Sequence, residues 1–122
     1  VVVELKNDNQ VDVITAGAAS GTGFVFELLR IFQVWFLKQG LNENSSREAA
    51  LNTFLGTALL AQEMKNESFE TLCKAVTSKK GTTLAGLKSM KKLKVQEAMS
   101  KSLSQSKKRA VEISKSLRQS SK

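Results

Sequence analysis

The segment richest in chemistry is Thr77, Ser78, Lys79, Lys80, Gly81, Thr82, Thr83, which sets hydroxyls, two ammonium groups and a glycine where a helical pattern begins. The first N–H groups of a helix have no intrahelical partner and sit at the positive end of its dipole, so a carboxylate or phosphate is favoured there. Ser78 and Thr83 can add hydroxyl donors, and Lys79 and Lys80 raise the local potential. The same residue types also build a Ser/Thr-capped turn that holds nothing, and spacing alone leaves both readings open. Other reactive groups are scarce. Histidine is absent and Cys73 is the only cysteine, which excludes internal disulfides, His/Cys zinc sites and imidazole acid-base chemistry. No catalytic or metal-ligating residue is nominated. Cys73, beside Leu72 and Val76 and with no imidazole to activate it, is expected to be a buried structural thiol in a reducing, cytoplasmic setting.

The elements that position this loop are all expected to be helices. The chain has 122 residues, no proline and few aromatics, and helix-forming residues alternate with Gly, Asn and Ser punctuation. The fold class is all-α, with about five to six helices. Residues 1–10 are expected to be the stub of an interdomain connection, 11–118 the helical domain and 119–122 a frayed tail; the start at Val1 suggests a fragment. The three opening valines favour an extended path. Asn7 or Asp8 caps a first helix, which the small residues between Ala16 and Gly23 interrupt or open to a close neighbour. Between Phe24 and Gln39 apolar positions surround nearly the whole helix. One small chain can hardly cover such a helix on all sides, so a second copy is expected against it.

Gly40 closes that helix, and Ser45 with Glu48 is expected to form the capping box of the next, which runs to about Met64. Its buried face is expected to be Ala49, Ala50, Phe54, Leu55, Ala58, Leu59 and Ala61, with Gly56 admitting a close neighbour. Ser68 caps a short helix, Thr82 or Thr83 opens a further one, and Val95, Met99, Leu103, Ala110, Ile113 and Leu117 mark the last. Arg30 and Lys38 interrupt the one apolar run long enough to suggest a membrane span, so no membrane is expected as a partner.

Charge is divided unevenly. Residues 1–73 carry −4 and residues 74–122 carry +12, for a net +8. Such asymmetry can mark a nucleic-acid surface. No aromatic follows Phe69 to stack a base, so most of the Ser, Lys and Arg after Lys101 are read as a solvated face, and nucleic acid ranks as the lesser reading.

A resemblance becomes specific at the loop. Thr77, Ser78, Gly81, Thr82, Thr83, Leu84, Ala85, Gly86, Leu87 resembles the T-S-P-G-G-T-T-I-A-G-L signature of pyrroline-5-carboxylate reductases. Val11 to Phe26 is similar to the family's D-A-V-T-A-L-S-G-S-G-P-A-Y-V-F stretch, and Thr53, Leu55, Gly56 and Ala58 echo its Q-T-V-L-G-A-A helix. Arg109 and Glu112 fall where the family has E-R-S-R-E-L. The resemblance implies the C-terminal dimerisation domain of such an enzyme, interlocked with a second copy and open to higher oligomers. It implies that Ser78, Gly81, Thr82 and Thr83 hold the carboxylate of the small-molecule substrate, and that NADPH or NADH serves a full-length enzyme from an N-terminal Rossmann domain. No strand followed by G-x-G-x-x-G occurs in this chain, so it is expected to be inactive alone. The sequence departs from the pattern at Lys79 and Lys80, which replace Pro-Gly, at Thr22, which replaces Pro, and at Arg30, which replaces an acid. Those departures support an alternative, a catalytically silent paralogue that acts only as a dimeric helical module.

Overall fold

A computed structural model describes residues 4–78 and 81–120. Lys79, Lys80 and the opening valines lie outside the described residues, as do Ser121 and Lys122. The described residues form six α-helices and one π-turn: α1 Asp8–Ile14, the π-turn Thr15–Ala19, α2 Ser20–Lys38, α3 Glu43–Glu63, α4 Phe69–Ala75, α5 Thr82–Lys92 and α6 Val95–Ser120. They contain no strand. The helices group into two units: one of residues 1–25 and 94–122, the other of residues 26–93.

In the first unit, Asn7 caps α1 by accepting the Gln10 N–H at 3.0 Å, as its residue type suggests. The small residues after Ile14 do not interrupt the helix. They widen it for one turn: the Ser20 N–H reaches back five residues to the Thr15 carbonyl, a π-type bond that Ala16, Gly17, Ala18 and Ala19 allow by keeping bulk away. This turn and α1 pack against α6. Ala16 is 3 % exposed there, and Asp12 is also buried. The Ser114 hydroxyl donates to Asp12 Oδ1 at 3.2 Å. One turn away, Arg118 Nη1 donates to Asp8 Oδ2 at 3.2 Å, so positions 8 and 12 meet 118 and 114 as antiparallel helices require. α6 continues through Gln119 and Ser120.

In the second unit, Gly40 takes φ 101°, the left-handed conformation that glycine adopts without penalty. The Leu41 N–H bonds to the Phe36 carbonyl at 3.2 Å and the Gly40 N–H to the Leu37 carbonyl at 3.0 Å, the paired bonds of a Schellman end. The expected Ser45–Glu48 box does not form. Asn42 caps α3 instead, its side chain accepting the Ser45 N–H at 2.8 Å; an Asn three residues ahead of Ser45 supplies the cap first and starts the helix earlier. Phe32 meets Phe54 edge-on, with ring centroids 5.0 Å apart, which joins α2 to α3.

Within one chain the apolar faces of this unit remain largely open. Of the face expected to be buried on α3, only Ala50 is, at 2 % exposed. No residue of α2 is buried, and Phe26 and Trp35 are 67 % and 57 % exposed. A Cβ added at Gly56 would meet nothing of this chain within 4 Å. Cys73 is exposed, not buried, and Phe69 on the same helix is likewise open: the apolar side of α4 has no cover among the described residues. The chain exposes 10262 Å². A close-packed monomer of its mass exposes about 6,500 Å², and two separate bodies of half that mass together only about 7,800 Å².

Candidate functional site at the start of α5

The four residues singled out from the sequence lie together at one helix start. Gly81 is the N-terminal cap of α5, in extended conformation, and Thr82 and Thr83 are its first two residues. The Gly81 N–H donates to the Ser78 carbonyl at 3.2 Å, folding the loop back on itself. A Cβ at Gly81 would collide with Ser78 Oγ and turn that hydroxyl aside, so glycine is what lets the Ser78 hydroxyl lie against the helix start. Thr77 does not point its hydroxyl into the loop; it donates to the Cys73 carbonyl at 2.6 Å, tying the loop's entry to α4. Ser78, Thr82 and Thr83 are exposed, and Gly81 is half-buried.

The electrostatics of this helix start differ from those of three others in the chain. α1, α3 and α4 each have a side chain on their first N–H groups, from Asn7, Asn42 and Ser68, and each carries an acid in its first turn, Asp8, Glu43 and Glu70. α5 has neither a capping side chain nor an acid in its first turn. Its orphan N–H groups and dipole are left without an internal counter-charge. Among the described residues no Ser or Thr side chain caps α5.

A second concavity, which the sequence did not bring forward, lies between α2 and α3. It holds about 230 Å³ and is lined by Phe26, Leu29, Arg30, Gln33, Arg47, Ala50 and Leu51. Arg30 is occupied, donating to both carboxylate oxygens of Glu27 at 2.8 and 2.6 Å. These hydrogen bonds hold the Glu27 carboxyl below its usual range and raise the Arg30 guanidinium above its own. The only signal in the sequence was Arg30 and Glu27 at i and i+3, a spacing that brings helix side chains together. Among the described residues no group of His, Cys, Asp and Glu is placed to hold a metal ion, and no helix is long and apolar enough to cross a membrane.

This geometry can be set beside known proteins. A family model described as pyrroline-5-carboxylate reductase dimerisation matches residues 8–113. Pyrroline-5-carboxylate reductase 1 of Bacillus spizizenii is 36 % identical over 107 residues, covering 88 % of this chain and 36 % of the relative. The solved pyrroline-5-carboxylate reductase of Coxiella burnetii is 28 % identical with a TM-score of 0.86, over 92 % of this chain and 41 % of that one. A Plasmodium falciparum pyrroline carboxylate reductase, solved with NADP bound, shares the fold at 18 % identity with a TM-score of 0.82 over 89 % of this chain and 41 % of that one. Helices with open apolar faces, arranged as in these structures, define a helical dimerisation domain. The chain belongs to the pyrroline-5-carboxylate reductase dimerisation family. It spans a little over a third of the length of the first curated relatives, at 36 % and 37 %.

Proposed function

We propose that this chain is the dimerising, substrate-holding part of a reductase that converts 1-pyrroline-5-carboxylate to L-proline with NADPH or NADH. The observation that carries the reading is the uncapped, acid-free start of α5 at the loop that resembles the family signature. The Thr82 and Thr83 backbone N–H groups, with the Ser78 and Thr83 hydroxyls beside them, would receive the substrate carboxylate. The reaction adds hydride to the imine carbon and a proton to its nitrogen, so this chain's share is positioning: fixing the carboxylate fixes the distance and face of the imine. The reductant belongs to a nucleotide-binding domain that these residues do not form; of residues 1–10, read from the sequence as the connection to it, Asp8 to Gln10 already belong to α1, which leaves only the residues ahead of the Asn7 cap for that role.

Self-association supports the same reading. The area left open, about 2,500 Å² per chain beyond two separate close-packed bodies, comes to about 5,000 Å² for a pair, at the upper end of the roughly 2,000–5,000 Å² total that obligate homodimer interfaces bury. Sedimentation equilibrium is expected to give twice the 13.3 kDa of one chain.

The test is proline formation by the protein carrying its nucleotide-binding domain, assayed with each nicotinamide cofactor. Turnover is expected, with KM for the imino acid raised about tenfold or more in Gly81→Ala, the loss of about one charge-assisted hydrogen bond. No proline with either cofactor, from a dimeric and folded preparation, would leave the silent dimeric module as the reading.

A further inference from the structure

α6 carries its positive charge in register. Lys101, Lys108 and Lys115 recur at every seventh residue along it, and Lys94 precedes them by the same interval at the helix's entry. A seven-residue step turns two helical turns with a drift of about 20°, so Lys101, Lys108 and Lys115 form one gently slanting row about 10.5 Å apart, and Lys94, left-handed at φ 57° just ahead of the helix, stands at its N-terminal end and brings the length to about 31 Å. All four are exposed. None of their ammonium groups takes part in an ion pair or side-chain hydrogen bond found among the described residues.

The row lies away from the face that α6 uses internally. Ala110 and Ser114, half-buried, stand on the other side, where α6 meets α1 and the π-turn. Beside the lysines the same face carries Glu97, Ser104, Gln105 and Glu112, with Gln119 past the last of them, and half-buried Val111 in a shallow concavity with Lys108 and Lys115. Glu112 is already paired, with Arg109 at 3.2 Å. The row therefore has hydroxyl and amide donors, and beyond half-buried Val111 no large apolar or aromatic residue.

That composition selects among partners. A docking protein helix needs buried apolar or aromatic anchors, and an interfacial membrane helix needs a free apolar face beneath its lysines; the row offers neither. A phosphate backbone needs only charge and hydrogen-bond donors, and its charges are denser than the lysines, so it requires no matching spacing. We propose that the Lys94, Lys101, Lys108, Lys115 row docks the phosphate backbone of a double-stranded nucleic acid without reading its sequence. A row of about 31 Å spans about nine base pairs. With nothing on this face to stack an unpaired base, a single strand gains nothing over a duplex, and its lower charge density makes it the weaker ligand.

The test is fluorescence anisotropy of a labelled 20-base-pair DNA duplex, and of one of its strands alone, titrated with the full chain between 50 and 200 mM NaCl. The expected slope of log K against log salt is about −3.6 for four phosphates, a loss of about 150-fold across that range. K94Q/K101Q/K108Q/K115Q is expected to lose most of that slope, whereas the charge-matched K65Q/K88Q/K91Q/K92Q keeps it. The milder K101Q/K108Q, with circular dichroism unchanged, is expected to lose about half. Equal losses in the two quadruple variants would mean that net charge alone binds, and would overturn the proposal. So would tighter binding of the single strand, or no duplex binding at 50 mM salt.

Discussion

The two units of this chain reach order by opposite routes. In the first, α1, the π-turn and α6 close on one another through polar contacts: buried Asp12 with Ser114, Asp8 with Arg118, and Ala16 packed beneath them. In the second, which holds every aromatic residue except Phe24, the chain buries little more than Ala50 and Ser46 and leaves α2 open. Polar pairs specify one geometry within a chain; a broad apolar face with few internal partners specifies that something else must cover it.

That contrast can be broken most sharply at Trp35. Trp35→Asp places a charge on the face assigned to the second copy and is expected to cost about 3–5 kcal/mol of dimer stability. Sedimentation equilibrium should then show monomer at micromolar protein, and an unchanged dimer would show that α2 is not the covered face. Ser114→Ala tests the other route. It strands the buried Asp12 carboxylate and is expected to lower stability by about 1–3 kcal/mol in urea unfolding, with the midpoint moving at constant dimer mass. A local cap should matter less than either: Asn42→Ala removes the acceptor of the Ser45 N–H, for about 1 kcal/mol, seen as a few degrees in the thermal midpoint.

The smallest effect is expected from Glu27→Gln. The Arg30 hydrogen bond lowers the Glu27 carboxyl from its ordinary 4.5, so the stability it adds is present above that value and lost as pH falls through the lowered one. Both groups are exposed, and solvent screens the pair. Thermal unfolding at pH 7 and pH 3 should differ slightly less in the variant than in the parent.

Much of this was legible from residue types. The all-α class, the ends at Gly40 and Met64, the Ser68 cap and the α5 start followed from capping and turn chemistry, which acts within four residues. The site loop was legible as residues but not as a state: that Gly81 caps α5 with no side-chain bond is a matter of backbone path, which a Ser/Thr-rich sequence leaves open. Misplacing the cap of α3 at Ser45 has the same origin, since Asn42 and Ser45 are both good caps and only the chain's exit from Gly40 decides between them. Burial was the least legible property. Leu55, Leu59 and Cys73 have the pattern of a core, but periodicity says which face is apolar, not which molecule covers it.

The π-turn at Thr15–Ala19 gives the helix that follows a particular phase. Its five-residue hydrogen bond, Ser20 to Thr15, absorbs one residue more than an α-helical turn would. Deleting Gly17 would let the segment relax to an ordinary α-helical turn, with no break and little change in helix content. Because the wide turn takes up the extra residue locally, the deletion would leave the helical phase of residues 20–25 against Asp8–Ile14 almost unchanged and shorten the segment by one residue. The turn is therefore a splice point, where the chain can gain or lose a residue and keep its faces aimed as before.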